Sequence, residues 1–265
     1  METIKKLREK TGAGIVDCKK ALEEAGGDLE KAAELLRKKG IAKAAKREDR
    51  EATEGVVKVG TDDSNTKGYI LTLNSETDFV ALNEQFQNLA AQIFDLARKQ
   101  DIKDIDALLE AKMEDGKSVK EAVDMLSGVI GEKLVLSQYN QVSAETVAAY
   151  SHMGGRIGVL VGLNQAGKAE LATDIAMQIA AANPRYMKRD EVPQEELDKE
   201  KEVYREQLLK EGKPAEMIDK ILEGKLNKYY EEVCLVDQEY IKDDKKKVKD
   251  ILDGVEITRF VRQSL

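Results

Sequence analysis

At 265 residues, 42% hydrophobic and 35% charged, the chain is long enough to bury a core and suits two or three compact units better than one. A formal net charge of −8 offers no source for the phosphate neutralisation that dominates nucleic-acid affinity, so direct nucleic-acid binding is disfavoured and a folded protein partner is expected. Cys18 and Cys234 fit neither a disulfide framework nor a zinc spacing, no apolar run approaches the roughly 18 residues of a membrane span, and "METIKKLREK" lacks the apolar stretch of a signal peptide. A soluble cytoplasmic protein without a membrane contact is expected.

Residues 1–40 read as three short helices. The first is closed by Thr11, Gly12, Ala13 and Gly14. The second carries Ile15, Cys18 and Leu22 on one side. The third starts from Asp28, a good N-cap, buries Leu29, Ala32, Ala33 and Leu36, and is expected to stop at Gly40. "IAKAAKREDREAT" is dense in charge and poor in large apolar residues, as a solvated connector should be, and a domain boundary is placed there. The expected units are residues 1–52, a first core lobe at 53–142 and a second at 143–265.

From Glu54 the hydrophobic period changes from 3.6 to 2. "GVVKV", a polar turn and "YILTLN" read as a hairpin, followed by a helix with Phe86, Leu89, Ala90, Ile93, Phe94 and Ala97 on one face. Two more helical stretches lead to Gly131 and the strand "KLVLSQYNQV". The second half repeats the plan: "ETVAAYSHMGGRIGVLVGLN" is again strand, turn and strand, and "ELATDIAMQIAAA" is again a helix, with "EEVCLV" or "VEITRFV" available to complete a sheet. At about 192–231, two helical segments joined by "EGKP" predict an antiparallel hairpin in which Leu197, Tyr204 and Leu208 face Ile218, Leu222 and Leu226. The fold class is therefore α+β with antiparallel sheets.

Aligning "LTLN" with "LVGLN" sets Asn74 opposite Asn164, and aligning "AAQI" with "AMQI" sets Gln92 opposite Gln178. The first interval is then four residues longer than the second. The excess falls on "ETDFVALN". Phe79 and Val80 could tuck beneath the helix with Asp78 capping its first turn. Loop aromatics are more often buried than presented, which favours that arrangement; the added length weighs against it and makes the segment a candidate site, since the other copy closes without it.

Enzyme signals are weak. "GLNQAGKA", residues 162–169, fits G-x-x-x-x-G-K, but Ala169 lacks the hydroxyl a phosphate loop needs for Mg²⁺ and the preceding strand belongs to a hairpin, so the run reads as a turn. His152 is the single histidine, which excludes a histidine dyad and a histidine-rich metal site. It lies in a tip that also holds Met153, Gly154, Gly155 and Arg156, an unusual set for an incidental turn. No pair of carboxylates is marked as an acid/base couple. No catalytic residue, cofactor or metal site is assigned. Binding by the N-terminal helices alone, as in a scaffold protein, is a further reading of the residues.

Taken in order, "LREKTGAGIVDCKKALEEAGGDLEKAAELLRKKG", "EGVV", "LNSETDFVALNEQF" and "HMGGRIGVLV" closely resemble the translation elongation factor Ts family over nearly the whole chain. The resemblance implies an N-terminal module like a ubiquitin-associated domain, a two-lobed core and a helical hairpin inserted in the second lobe. It implies a guanine-nucleotide exchange factor for elongation factor Tu in its GDP-bound and nucleotide-free states, with no bond made or broken. In the family the Thr77, Asp78, Phe79, Val80 segment enters the GTPase domain near its magnesium and phosphate site. The module containing Thr11, Gly12, Ala13 and Gly14 docks on that same domain. The turn of His152, Met153, Gly154, Gly155 and Arg156 reaches another domain of the partner, and an assembly of two chains with two partners is within the resemblance. The sequence ends at "VEITRFVRQSL", whereas some relatives continue with a further helical segment, whose contact is not carried over.

Overall fold

Glycine-marked ends divide the N-terminal region into three helices in the computed structural model, which describes residues 2–265, with the side chains of Glu9 and Ala215 set aside. These are α1 (Glu2–Thr11), α2 (Ile15–Glu24) and α3 (Leu29–Ala45), packed around Leu7, Ala13, Cys18, Ala21, Leu22 and Ala32. Asp28 caps α3 by accepting from the amides of Glu30 and Lys31 at 3.0 and 3.1 Å. Two expectations are corrected here. Ile15 is exposed rather than part of the α2 core, and α3 runs through Gly40 to Ala45. The helix passes through Gly40, whose backbone meets α7 (Val119–Ile130): a Cβ on Gly128 would lie 2.5 Å from the Gly40 Cα, so Gly128 has no room for a side chain, whereas a Cβ on Gly40 would make only ordinary contacts with Met125 at 3.7 and 3.8 Å.

This crossing ties the N-terminal helices to the first lobe. Arg37 pairs with Glu121 at 2.7 Å, and Glu121 also closes the capping box with Ser118 at the start of α7. One carboxylate thus starts a helix and docks another. Farther along, Lys133 Nζ donates to the carbonyls of Glu48 and Arg50 at 2.6 and 2.9 Å, so the charged stretch after α3 is bonded to the lobe.

The first lobe contains β1 (Glu54–Thr61), β2 (Lys67–Ser75), α4 (Asp78–Ala81), α5 (Glu84–Lys99), α6 (Ile105–Glu110), α7 and β3 (Val135–Ser143), with sheet order β1-β2-β3, all antiparallel. The second contains β4 (Thr146–His152), β5 (Ile157–Leu163), α8 (Ala169–Ala182), α9 (Gln194–Lys210), α10 (Ala215–Val233), β6 (Glu239–Tyr240), β7 (Asp243–Lys247), α11 (Val248–Ile251) and β8 (Ile257–Ser264). Its main sheet has the order β4-β5-β8. Of the two candidate closing strands, the late one forms β8, while "EEVCLV" continues the end of α10 into a single 3-10 turn.

The sheets face each other across Val57, Ile70, Val142, Val147 and Leu160, and the helices cover their outer faces. Central strands β2 and β5 are buried on both faces, which explains their nearly continuous apolar runs. Outside the layers, α9 and α10 form the hairpin. Leu197, Leu208, Ile218 and Leu222 are buried along its seam, and Tyr204 and Leu226 are half-buried. Its base is held by Arg189 paired with the buried Asp237 at 2.7 Å. The fold is α+β, as the alternating periods predict.

Candidate functional site

Between β2 and α5 the chain makes one helical turn, α4. Thr77, not Asp78, is its N-cap: the Thr77 Oγ1 accepts from the Val80 amide at 3.4 Å. Thr77 is itself held by Glu132, whose carboxylate accepts from the Thr77 hydroxyl at 2.7 Å and the Thr77 amide at 3.0 Å. Just before it, Glu76 accepts from the Lys133 amide at 2.6 Å and from Arg50 at 3.1 Å; these bonds, the Lys133 amide first, hold its pKa below the usual carboxylate value. Val80 and Ala81 are buried in the lobe core, and Asn83 caps the next helix by accepting from the Gln85 amide at 2.9 Å.

The anchoring leaves the opposite side of the turn free. Phe79 is 83% exposed and Leu82 80%, three residues apart and therefore on one helical face, with Asp78 exposed beside them. Tucking both Phe79 and Val80 beneath the helix does not occur. Val80 alone goes inward. A ring this exposed gains nothing for the fold, because burial is what makes an aromatic side chain stabilising.

The two other segments lie around the same end of the first lobe. At the Thr11–Gly14 turn the Thr11 hydroxyl donates to the Leu7 carbonyl at 2.7 Å and Ala13 is buried. A Cβ on Gly12 would lie 3.4 Å from Gln85 Nε2, which sets the turn against the first turn of α5. Ile15 and Val16, immediately after it, are exposed. The second-lobe tip follows β4 with positive φ at Met153, Gly154 and Gly155, and the Gly155 carbonyl accepts from the Val57 amide at 2.7 Å. Arg156 pairs at 2.7 Å with Glu54, which is opposite Ser75 at the end of β2. The Arg156 pKa is raised, mainly by Glu54 and also by the nearby charge of Asp78, so the tip and the α4 turn are electrostatic neighbours. Among the described residues, five of the nine large apolar side chains that are exposed (Ile15, Val16, Phe79, Leu82 and Met153) lie in or beside these three segments. Such a concentration makes this end of the lobe a candidate interaction surface.

No group of His, Cys, Asp and Glu among the described residues is arranged to hold a metal ion, and no helix among them is long and apolar enough to cross a membrane. The 162–168 run spans the end of β5, hydrogen-bonded on both sides to antiparallel strands, and a bend into α8.

A family model described as Elongation factor TS matches residues 76–265. The chain is 45% identical over 278 aligned positions to an elongation factor Ts of Prosthecochloris aestuarii, covering 99% of this chain and 96% of that protein. It is 44% identical over 275 positions to an elongation factor Ts of Clostridium perfringens, covering 98% and 91%. The chain belongs to the elongation factor Ts family. Membership makes it a translation elongation factor that acts as a nucleotide exchange factor for elongation factor Tu, by binding and without covalent chemistry.

Several residues that hold these segments in place had no local signal. Glu132 lies 55 positions from Thr77, and Glu54 lies 102 from Arg156; the β2–β3 pairing brings the first two together, and the packing of one sheet on the other brings the second two together. Leu82 was legible: its i, i+3 spacing from Phe79 matches one face of a helical turn.

Proposed function

We propose that the chain speeds GDP release by inserting Phe79, with Asp78 beside it, near the magnesium and phosphate site of elongation factor Tu. Thr11–Gly14, with Ile15 and Val16, docks on the same GTPase domain, and the His152–Arg156 turn rests on another. The observation that carries this reading is the 83% exposure of Phe79 on a turn fixed from below by Thr77, Glu132 and Val80. A wedge needs both features: an apolar surface with nothing to cover it at home, and a root stiff enough to transmit displacement. The complex forms in the cytoplasm.

Linkage sets the requirement. The factor weakens GDP binding only by as much as it prefers the nucleotide-free GTPase, and GDP weakens the factor equally in return. Burying one phenylalanine contributes about 1.5 to 3 kcal/mol, roughly one to two decades of affinity. The remaining preference comes from the wider surface, and from Asp78 disturbing the ligands and waters of the partner's Mg²⁺. Catalytic amounts of the chain should accelerate release of a fluorescent GDP from purified elongation factor Tu in stopped flow. Release at the uncatalysed rate would refute the reading.

A further inference from the structure

Only one buried side-chain nitrogen or oxygen among the described residues lacks a hydrogen-bond partner: Nε of Arg262. Arg262 lies in β8 opposite Val159, and Val159 lies opposite Tyr150 of β4, so these three share one row across a single face of the second-lobe sheet. The neighbouring row is His152, Ile157 and Ser264. Arg262 donates through Nη1 to Ser264 Oγ at 3.2 Å, while the Tyr150 hydroxyl lies 3.1 Å from His152 Nδ1 with the two rings stacked.

No carboxylate among the described residues pairs with this guanidinium, although the chain has 51 acidic residues against 43 basic ones. Burial alone acts on it, lowering its pKa with no opposing charge to restore it. The residue is only partly buried, but its Nε is shut off from water; a guanidinium is a planar fork of donors suited to a carboxylate, and leaving that buried donor unmatched costs the free protein stability. Its place, in the row beside the tip that carries His152, says where the match comes from.

We propose that Arg262 is a further partner-contact residue, taking an aspartate or glutamate carboxylate of elongation factor Tu when the His152–Arg156 turn docks. This rests on the exchange reading above. The charge complementarity is direct: an uncompensated cation on this face calls for an anion on the other side.

The test uses the full chain with Arg262→Met and Arg262→Lys, measuring calorimetric affinity for nucleotide-free elongation factor Tu at low and high salt, together with thermal unfolding. Arg262→Met keeps the apolar stem and removes the unmet donor. It should raise Kd by about tenfold or more and flatten the salt dependence, while its Tm stays equal to or above wild type. Arg262→Lys should recover part of the affinity, since an ammonium keeps the charge but not the fork. Arg262→Met binding within about twofold of wild type, or a Tm that falls together with affinity, overturns the proposal. Normal wild-type exchange beside an unaffected Arg262→Met removes Arg262 alone; a wild-type chain that neither binds nor accelerates release removes the exchange reading, and this inference with it.

Discussion

Both lobes lead from a central strand into the helix that covers it, through junctions of unequal length. After β5 the passage is direct: Asn164 accepts from the Glu256 amide at 2.8 Å and donates to the Glu256 carboxylate at 3.3 Å, and α8 begins at Ala169. After β2 the chain adds the α4 turn with its exposed ring. The covering helices differ as well. Gln178 of α8 is buried, bonded to Gln238, the Glu239 carbonyl and the Ile241 amide beneath the β6–β7 ribbon. Gln92, its counterpart on α5, faces an open groove of about 1120 Å³ between α1 and α7. What the lobes share closes the fold. What only the first lobe adds buries Val80 and leaves Phe79 outside, and the proposed wedge rests on that asymmetry.

The sharpest way to break this contrast is Phe79→Ala, which should slow GDP release by about ten- to hundredfold while leaving Tm unchanged, because the ring makes no core contact. Unaltered release in stopped flow would reduce the α4 turn to a structural insertion. Thr77→Val removes the cap and the hydroxyl's hydrogen bond to Glu132 together, leaving the bond from the Thr77 amide; it should cost about 1 to 2 kcal/mol in urea unfolding and slow release by a smaller factor than Phe79→Ala. Equal loss of stability with full exchange activity would show that the wedge needs no fixed root.

At the other junction Asn164→Ala should cost about 1 kcal/mol of stability and leave the exchange rate where it is. A slowed rate there would remove the asymmetry between the lobes. The smallest effect concerns Glu76. Its pKa is depressed in the folded chain, so its stabilising contribution is fully present above the unfolded value near 4.5 and disappears as pH falls through the lower folded value. Solvent screening limits this to under about 1 kcal/mol. Tm measured from pH 6 to pH 3 should therefore fall slightly more for wild type than for Glu76→Gln, and parallel curves would show that Glu76 does not anchor the turn.

Helix starts and sheet pairing were legible because their causes are local. Asp28 marks the start of α3, and the period-2 runs give the hairpins. Gly40 misled for the same reason: glycine is a frequent helix stop, yet here the helix runs on through it, and its backbone packs against Gly128, 88 positions away, where a side chain would clash. Ile15 fits a buried stripe by spacing, but no element covers that side of α2, and only the packed helices reveal it. Choosing Thr77 over Asp78 as the cap likewise depended on Glu132.

Local chemistry in the chain determined its periodicities, its turns, its duplicated plan and the extra length at residues 76–83. Those features depend on side-chain order within a few turns of backbone. The tertiary structure alone decided which side of each element is covered, that Thr11–Gly14, Thr77–Val80 and His152–Arg156 gather around one end of the first lobe, and that Arg262 is left without an anion. Exposure and pairing are properties of contacts between residues far apart in the chain, and no local pattern carries them.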